Sequence, residues 1–125
     1  MKALLSIKPE FVAKIFSGEK KFEYRKAIFS NKNVKTVMIY STMPIGKIVG
    51  EFEIDSILSA SPGEIWEKTK DFSGIKHSFF NEYFNGRERA YAIQIEKVII
   101  YAEPRNLVDV IERRMPPQSF CYIRT

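Results

Sequence analysis

The sequence has very few of the residues on which metal centres, disulfides and thiol chemistry depend. Its 125 residues include one histidine and one cysteine. A single cysteine cannot form an internal disulfide, which favours a reducing, intracellular setting. Cys121 lies in the apolar run SFCYI, so we expect a small buried hydrophobe there rather than a nucleophile paired with the distant His77. Zinc-ligand spacing, a Walker loop and a dinucleotide-binding glycine pattern are all absent, so we expect neither a metal nor a cofactor.

Long apolar runs are also missing. No segment approaches the ~20 apolar residues of a membrane span. The run from Ala3 to Ile7 is too short for the core of a signal peptide. We therefore expect a cytoplasmic protein without membrane contact. A hydrophobic content of 45% and an aromatic content of 14% predict a folded globule, and the length predicts one domain spanning residues 1–125.

Charge is distributed unevenly along the chain. The net charge is +5, but residues 1–50 contain ten basic and three acidic side chains, a surplus of seven. The remaining residues therefore carry a net charge of −2. A basic half on a near-neutral protein suggests an anionic partner such as nucleic acid or a nucleotide, although solubility alone would also explain it.

Hydrophobic periodicity predicts an α+β fold in which strands outnumber helices and do not alternate with them regularly. This order favours a small mixed β-barrel with helices at its ends over a doubly wound sheet. A bulge is expected near Gly50, and a capping box is expected at Ser61 and Glu64. The predicted strands cover residues 3–7, 20–26, 34–42, 47–58, 89–104 and 119–125, and the predicted helices cover 9–18, 61–70 and 77–86, with a further helical turn at 106–114.

The stretch GEKKFEYRK, residues 18–26, is the most informative one for function. As a strand it would place Glu23 and Arg25 on one face, with Phe22 and Tyr24 packing on the other. Lys20 would lie at the turn beside the end of the first helix. A lysine, a carboxylate and a guanidinium together can contact a phosphate and a base edge. The same residues can also form a structural ion-pair network, and spacing alone leaves both interpretations open.

GEKKFEYR also fits the pattern G-x-K-x-x-E-x-R, which resembles the signature of ASCH domains in the PUA-like superfamily. The pattern follows a first strand and helix, as it does in that family. Two later segments are similar to the family as well. The first is the P-x-x-x-I-x-G strand through Pro44, Ile48 and Gly50, and the second is the segment P-P-Q-S at 116–119. The resemblance covers nearly the whole chain.

The resemblance implies a PUA-like mixed β-barrel of five to seven strands, with two or three short helices packed at its ends. It also implies a basic cleft beside the first helix that binds single-stranded RNA or a modified nucleotide. The residues expected to bind the ligand are Lys20, Glu23 and Arg25, with Gln118 and Ser119 facing them and Lys8 as a weaker candidate.

Two other functional classes stay open at this stage. Acetylcytidine amidohydrolases in the superfamily use a lysine, a threonine and a glutamate, but this chain has Glu23 at the threonine position, and a carboxylate cannot replace a hydroxyl nucleophile. Metal-independent ribonuclease activity would instead use Lys20 or Lys21 with Glu23 or Tyr24. The third class is a regulatory interaction domain in transcription or translation control, without catalysis.

Overall fold

The computed structural model describes residues 1–112 and 115–124 of the chain. It confirms an α+β fold whose strand and helix numbers lie within the predicted ranges. The elements follow in the order β1 Lys2–Ile7, α1 Pro9–Ser17, β2 Phe22–Arg25, β3 Thr36–Ser41, β4 Lys47–Ala60, α2 Pro62–Thr69, α3 His77–Tyr83, β5 Ala90–Arg105 and β6 Phe120–Ile123. Within the described residues, none of the helices has the length and apolar character needed to cross a membrane.

The six strands form one mixed sheet. Their order across the sheet is β2-β5-β4-β3-β1-β6. Strand β1 runs parallel to β3, and the other paired strands are antiparallel. Among the described residues, no backbone ladder joins the two outer strands β2 and β6. The hydrogen-bonded sheet is therefore open at this point.

The helices begin and end where local sequence signals place them. Pro9 occupies the first turn of α1, and Gly18 ends it with φ of 86°, a left-handed conformation that glycine adopts without a steric penalty. The capping box at the start of α2 is confirmed, since the hydroxyl oxygen of Ser61 accepts a hydrogen bond from the backbone N–H of Glu64 at 3.3 Å. These caps set the directions in which α1 and α2 leave the sheet.

Three apolar clusters hold the helices and loops against the sheet. The first packs Val12 and Ile15 of α1 on β1, β3, β4 and β5. The second joins β2 and β5 to α2 and α3 and includes Phe22, Tyr24, Ile65, Phe80 and Phe84. The third covers the other face of β1 and β3 with the short 3₁₀ turn Leu107–Asp109. The second cluster fixes α3 beside β2, where the cleft described below lies.

Two C-terminal predictions need correction. Cys121 is half-buried on β6, because β6 is an outer strand, so it is not the fully buried side chain that the apolar run indicated. The predicted helical turn at 106–114 is a 3₁₀ turn of three residues from Leu107 to Asp109. Residues 113, 114 and 125, which the two predicted C-terminal elements include, lie outside the described residues.

The predicted irregularity near Gly50 is confirmed by a shift in the register between β4 and β5, which lies between Ile48 and Gly50. A Cβ atom on Gly50 would lie 2.5 Å from the carbonyl oxygen of Ile99 and 2.9 Å from the ring of Phe16. The absence of a side chain at position 50 therefore lets α1 pack closely on the sheet.

We expect Gly50→Ala to lower the free energy of unfolding by about 1–3 kcal/mol, because either the strand or the Phe16 ring must move. Gly63→Ala is the matched control, since a Cβ there meets no atom within 4 Å. Its position in α2 should make that change neutral or stabilising by up to about 1 kcal/mol. Urea unfolding of the two variants measures the difference, and equal stabilities would contradict the close packing at Gly50.

Candidate functional site

A cleft with a volume of about 210 Å³ opens beside α1, where the ends of β1 and β2 approach α3. Basic, acidic and aromatic side chains share its surface. The lining residues are Ser6, Ile7, Lys8, Phe11, Lys20, Glu23, Tyr24, Arg25, Ile75, Phe79 and Tyr83. An apolar and aromatic lining with a few convergent polar groups is typical of a small-ligand site.

Lys20 is the most deeply buried charged side chain in the cleft. Only 2% of the residue is exposed. Its ammonium nitrogen Nζ donates a hydrogen bond to the carbonyl oxygen of Ser73 at 2.7 Å, and it lies 4.7 Å from the centroid of the Tyr24 ring and 5.5 Å from that of Phe11. An ammonium group has three N–H donors, so two remain for the aromatic faces and for a ligand in the cleft.

The loop before α3 is shaped to receive this lysine. Gly74 has a φ of 67°, and a Cβ atom there would lie 2.5 Å from the Cβ of Lys20. The ammonium of Lys14 donates to the carbonyl oxygen of Gly74 at 3.1 Å. Two lysines from the first helix and the turn after it thus bind consecutive carbonyl groups, those of Ser73 and Gly74.

Burial changes the acid–base behaviour of Lys20. Removal of the ammonium from water lowers the pKa of Lys20 from 10.5 to about 8. The carboxylate of Glu23 opposes this shift, and the positive charge of Lys14 adds to it. A lysine with a pKa near 8 is charged for most of the time at neutral pH, yet it loses its proton far more readily than a surface lysine.

Arg25 connects the two outer parts of the sheet at the cleft floor. Its Nη1 atom lies 3.3 Å from Oε2 of Glu23 and donates to the carbonyl oxygen of Ser6 at 3.3 Å. Its Nη2 atom donates to the carbonyl oxygen of Ser119 at 2.6 Å. The guanidinium therefore joins β2 to β1 and to the residue before β6.

Tyr24 connects the cleft to α2. Its hydroxyl oxygen lies 2.7 Å from Oγ1 of Thr69, whose own proton is donated to the carbonyl oxygen of Ile65 at 2.7 Å. Tyr24 is therefore the donor to Thr69. Burial raises the pKa of Tyr24 to about 12. Its phenol thus stays neutral at physiological pH, with its ring facing the ammonium of Lys20.

Helix α3 provides the aromatic wall at the mouth of the cleft. The rings of Phe79 and Tyr83 lie one helical turn apart with a centroid separation of 6.5 Å and are nearly parallel. The ring of Phe11 meets Phe79 edge-on at 5.3 Å. Burial raises the pKa of Tyr83. The wall is therefore aromatic and uncharged.

Five of the eight residues predicted for the site lie together in the cleft: Lys8, Lys20, Glu23, Tyr24 and Arg25. Lys20 follows the first helix, as expected, and it is buried because the chain folds back over it at Ser73 and Gly74. Lys21 is exposed, with its ammonium 4.4 Å from the Phe72 ring centroid. Ser119 contacts Arg25 through its backbone carbonyl, and Gln118 is exposed. Lys21 and Gln118 do not line the cleft.

Sequence reasoning did not assign the aromatic and apolar part of the site, formed by Phe11, Ile75, Phe79 and Tyr83. The only available signal was the apolar stripe at helical spacing in 79–84, which predicts core packing as readily as a wall. Across residues 1–112 and 115–124, no group of three or more His, Cys, Asp or Glu side chains is arranged to hold a metal ion. The described groups offer hydrogen-bond donors, a carboxylate acceptor and aromatic faces.

Comparison with known proteins assigns the class. Residues 5–99 match the ASCH domain family, and the chain belongs to this family, which is part of the PUA-like superfamily. The fold agrees with solved members. The crystal structure of ASCH from Zymomonas mobilis superposes with a TM-score of 0.90 at 26% identity, covering 98% of this chain and 87% of that one. A tyrosine-to-phenylalanine mutant of ZmASCH gives the same TM-score at 25% identity, with 98% and 90% coverage.

Curated relatives differ in length and in name. The large ribosomal subunit protein uL22 of Ureaplasma parvum serovar 3 is 29% identical over 122 residues, which cover 97% of this chain. The chain spans only 39% of the length of that relative. The ASCH domain-containing ribonuclease of Zymomonas mobilis is 28% identical over 125 residues, covering 98% of this chain and 84% of the relative.

The lowered pKa of Lys20 predicts a pH-dependent stability. Between about pH 8 and 10.5 the unfolded chain holds this proton more tightly than the folded protein, so raising the pH through this window stabilises the fold. Relative to Lys20→Met, the free energy of unfolding of the wild type should rise by about 3 kcal/mol from pH 8 to 10.5. Urea unfolding of both proteins at several pH values measures the difference. A constant difference would contradict the buried, depressed lysine.

Proposed function

We propose that this ASCH domain binds single-stranded RNA and accommodates one nucleotide, normal or modified, in the cleft. The observation that carries the proposal is a buried ammonium and a buried carboxylate, those of Lys20 and Glu23, which line the same aromatic-lined cavity. Sequence-specific RNA recognition commonly inserts an unstacked base between aromatic side chains and reads its edge by hydrogen bonds. The cleft offers both kinds of contact.

The polar groups at the base have complementary roles in this proposal. Lys20 donates to an acceptor on the base, such as a ring nitrogen or a carbonyl oxygen. Glu23 accepts from an amino or imino group through its Oε1 atom, while Oε2 contacts Arg25. Arg25 already donates to three acceptors, so we assign it mainly the role of holding Glu23 and the strands in place. A ligand that lacks the matching groups would leave Lys20 or Glu23 unpaired, and its affinity would therefore be lower.

The overall charge supports an RNA ligand over a neutral one. The protein carries +5, and the basic surplus lies in residues 1–50, which contain most of the cleft. The Zymomonas mobilis relative, of which this chain covers 84%, is named a ribonuclease, and a ribonuclease acts on RNA. Electrostatic attraction accounts for much of RNA affinity and should weaken with salt.

Fluorescence anisotropy of a labelled single-stranded RNA, titrated in EDTA at two salt concentrations, tests the proposal. We expect a saturable rise in anisotropy that weakens with salt. Lys20→Met and Glu23→Gln should each weaken binding by about 5- to 150-fold, which corresponds to about 1–3 kcal/mol for the loss of a buried hydrogen-bonding partner.

The matched control is Lys32→Gln, which removes one positive charge at an exposed position in the loop between β2 and β3. It should leave affinity within about twofold. Equal effects of Lys20→Met and Lys32→Gln would show that binding depends on charge alone and not on the cleft. The absence of any rise with the wild type would exclude RNA strands and direct attention to free modified nucleosides or protein partners.

A second candidate function is metal-independent RNA cleavage. It is favoured by the presence of a buried ammonium, that of Lys20, and a carboxylate, that of Glu23, in one cleft. In this scheme Glu23 accepts the proton of a ribose 2′-hydroxyl, whose oxygen attacks the adjacent phosphorus. The charged Lys20 stabilises the negative charge that develops on the phosphoryl oxygens. The bond to the 5′-oxygen breaks, and that oxygen takes up a proton from water. The products are a 2′,3′-cyclic phosphate and a free 5′-hydroxyl.

Cleavage would appear as shortened products of the labelled RNA in EDTA. We expect Glu23→Gln to lower the cleavage rate by about 10²–10⁴-fold, the usual contribution of a general base, with a smaller loss of affinity. An RNA carrying a single 2′-deoxy substitution should stay intact at that linkage while binding normally. Intact RNA with the wild type, despite saturable binding, would leave the domain as a binding module.

We propose that residues 1–125 form one PUA-like domain whose sheet curls into a barrel through side-chain hydrogen bonds. The contacts of Arg25 on β2 with the carbonyl groups of Ser6 and Ser119 support this form of closure.

A regulatory role without RNA would require a protein partner, and a pull-down with purified protein would identify one.

A further inference from the structure

Two exposed lysines cover the aromatic wall of α3, one at each end of the wall. The ammonium of Lys8 lies 5.4 Å from the ring centroid of Phe79, and that of Lys26 lies 4.7 Å from the ring centroid of Tyr83. Each lysine follows directly after a strand that ends in the cleft, β1 for Lys8 and β2 for Lys26. The mouth of the cleft is therefore bordered by a positive charge on each side.

Lys8 and Lys26 differ from the basic residues inside the cleft in their exposure and in their hydrogen bonds. Lys20 and Arg25 are buried and donate to backbone carbonyl groups. Lys8 and Lys26 are exposed, and neither takes part in any of the four ion pairs between described residues. Arg87, also exposed, adds positive charge near the Tyr83 end, since it favours the ionised form of that phenol.

We propose that Lys8 and Lys26 bind the two phosphate groups that flank the nucleotide in the cleft. The ligand of the cleft is then an internal nucleotide of an RNA strand and not a free nucleoside or mononucleotide. This inference rests on the proposed function, because it assumes that a nucleotide occupies the cleft.

The two lysines at the mouth of the cleft match the number of phosphate groups on either side of an internal nucleotide. A nucleoside has no phosphate, a nucleoside monophosphate has one, and only an internal nucleotide of a strand has a phosphodiester on each side. A cleft for a mononucleotide needs a cation at one end of its mouth, but this cleft has one at both. The aromatic rings under Lys8 and Lys26 hold the ammonium groups at the mouth without neutralising them, so they stay available to an anion.

Competition against a labelled 12-nucleotide RNA of random sequence tests the inference. The competitors are the four homotrinucleotides UpUpU, ApApA, CpCpC and GpGpG, and the four matching nucleoside 5′-monophosphates. We expect the best trinucleotide to compete at least about tenfold better than its mononucleotide. Lys8→Gln and Lys26→Gln should each reduce the steepness of the log–log salt dependence for the 12-mer by about 0.7, the contribution of one phosphate contact on a single strand. The double variant should lose the advantage of the trinucleotide.

The matched control is Lys35→Gln, an identical change at an exposed lysine next to Thr36. Thr36 pairs with Lys2, at the end of β1 away from the cleft. Its salt dependence should equal that of the wild type. Melting temperatures of all variants should agree, because the substituted side chains are exposed.

The outcomes separate this inference from the proposed function. If Lys20→Met loses RNA but Lys8→Gln and Lys26→Gln bind the trinucleotides like the wild type, a nucleotide occupies the cleft and the two lysines do not hold its phosphates. Equal competition by trinucleotides and mononucleotides would overturn the inference in the same way. If the wild type binds neither the 12-mer nor any competitor, both proposals fail.

Discussion

The guanidinium of Arg25 is the constraint on which the shape of the cleft depends. It links β2, at one edge of the sheet, to the end of β1 and to the residue before β6, at the other edge. Among the described residues, no backbone hydrogen bonds join these two edges as paired strands. The Arg25 side chain, which has five N–H donors in a fixed arrangement, spans the gap instead. The same group holds the Glu23 carboxylate at the cleft floor. Loss of Arg25 would therefore leave two backbone acceptors and one buried carboxylate without their partner.

The burial of Lys20 is energetically costly, and the structure compensates for it only in part. A depression of the pKa from 10.5 to about 8 means that the folded environment disfavours the charged form by about 3 kcal/mol. The Ser73 carbonyl, two aromatic faces and Glu23 offset some of the desolvation. A protein selected for stability alone would place a methionine or leucine at this position. A buried, perturbed lysine in a cleft is instead typical of a functional site.

Local features were predictable from the sequence, and long-range ones were not. Pro9 and Gly18 mark the ends of α1 by backbone chemistry alone, and alternation in 22–25 indicates that Glu23 and Arg25 are neighbours, as their 3.3 Å contact shows. Lys20 is buried only because the Ser73–Gly74 turn, more than fifty residues away in sequence, folds over it. No periodicity encodes such a contact. The family resemblance implied a cleft beside the first helix, but it did not indicate which charges there already have partners within the protein.

In the proposed RNA complex, the charges that already have protein partners and those that do not would have different roles. Arg25 cannot turn to a ligand without giving up backbone acceptors, and Lys20 can do so only with the donors left after its bond to Ser73. Buried groups of this kind discriminate between ligands, because a mismatched ligand leaves them unpaired in a region of low dielectric constant. Under the proposal, long-range attraction would come from exposed lysines, whose hydrated charges could bind phosphate with little reorganisation. Selectivity at the base of the cleft and affinity at its mouth would therefore respond differently to salt, because screening weakens exposed charges far more than buried ones.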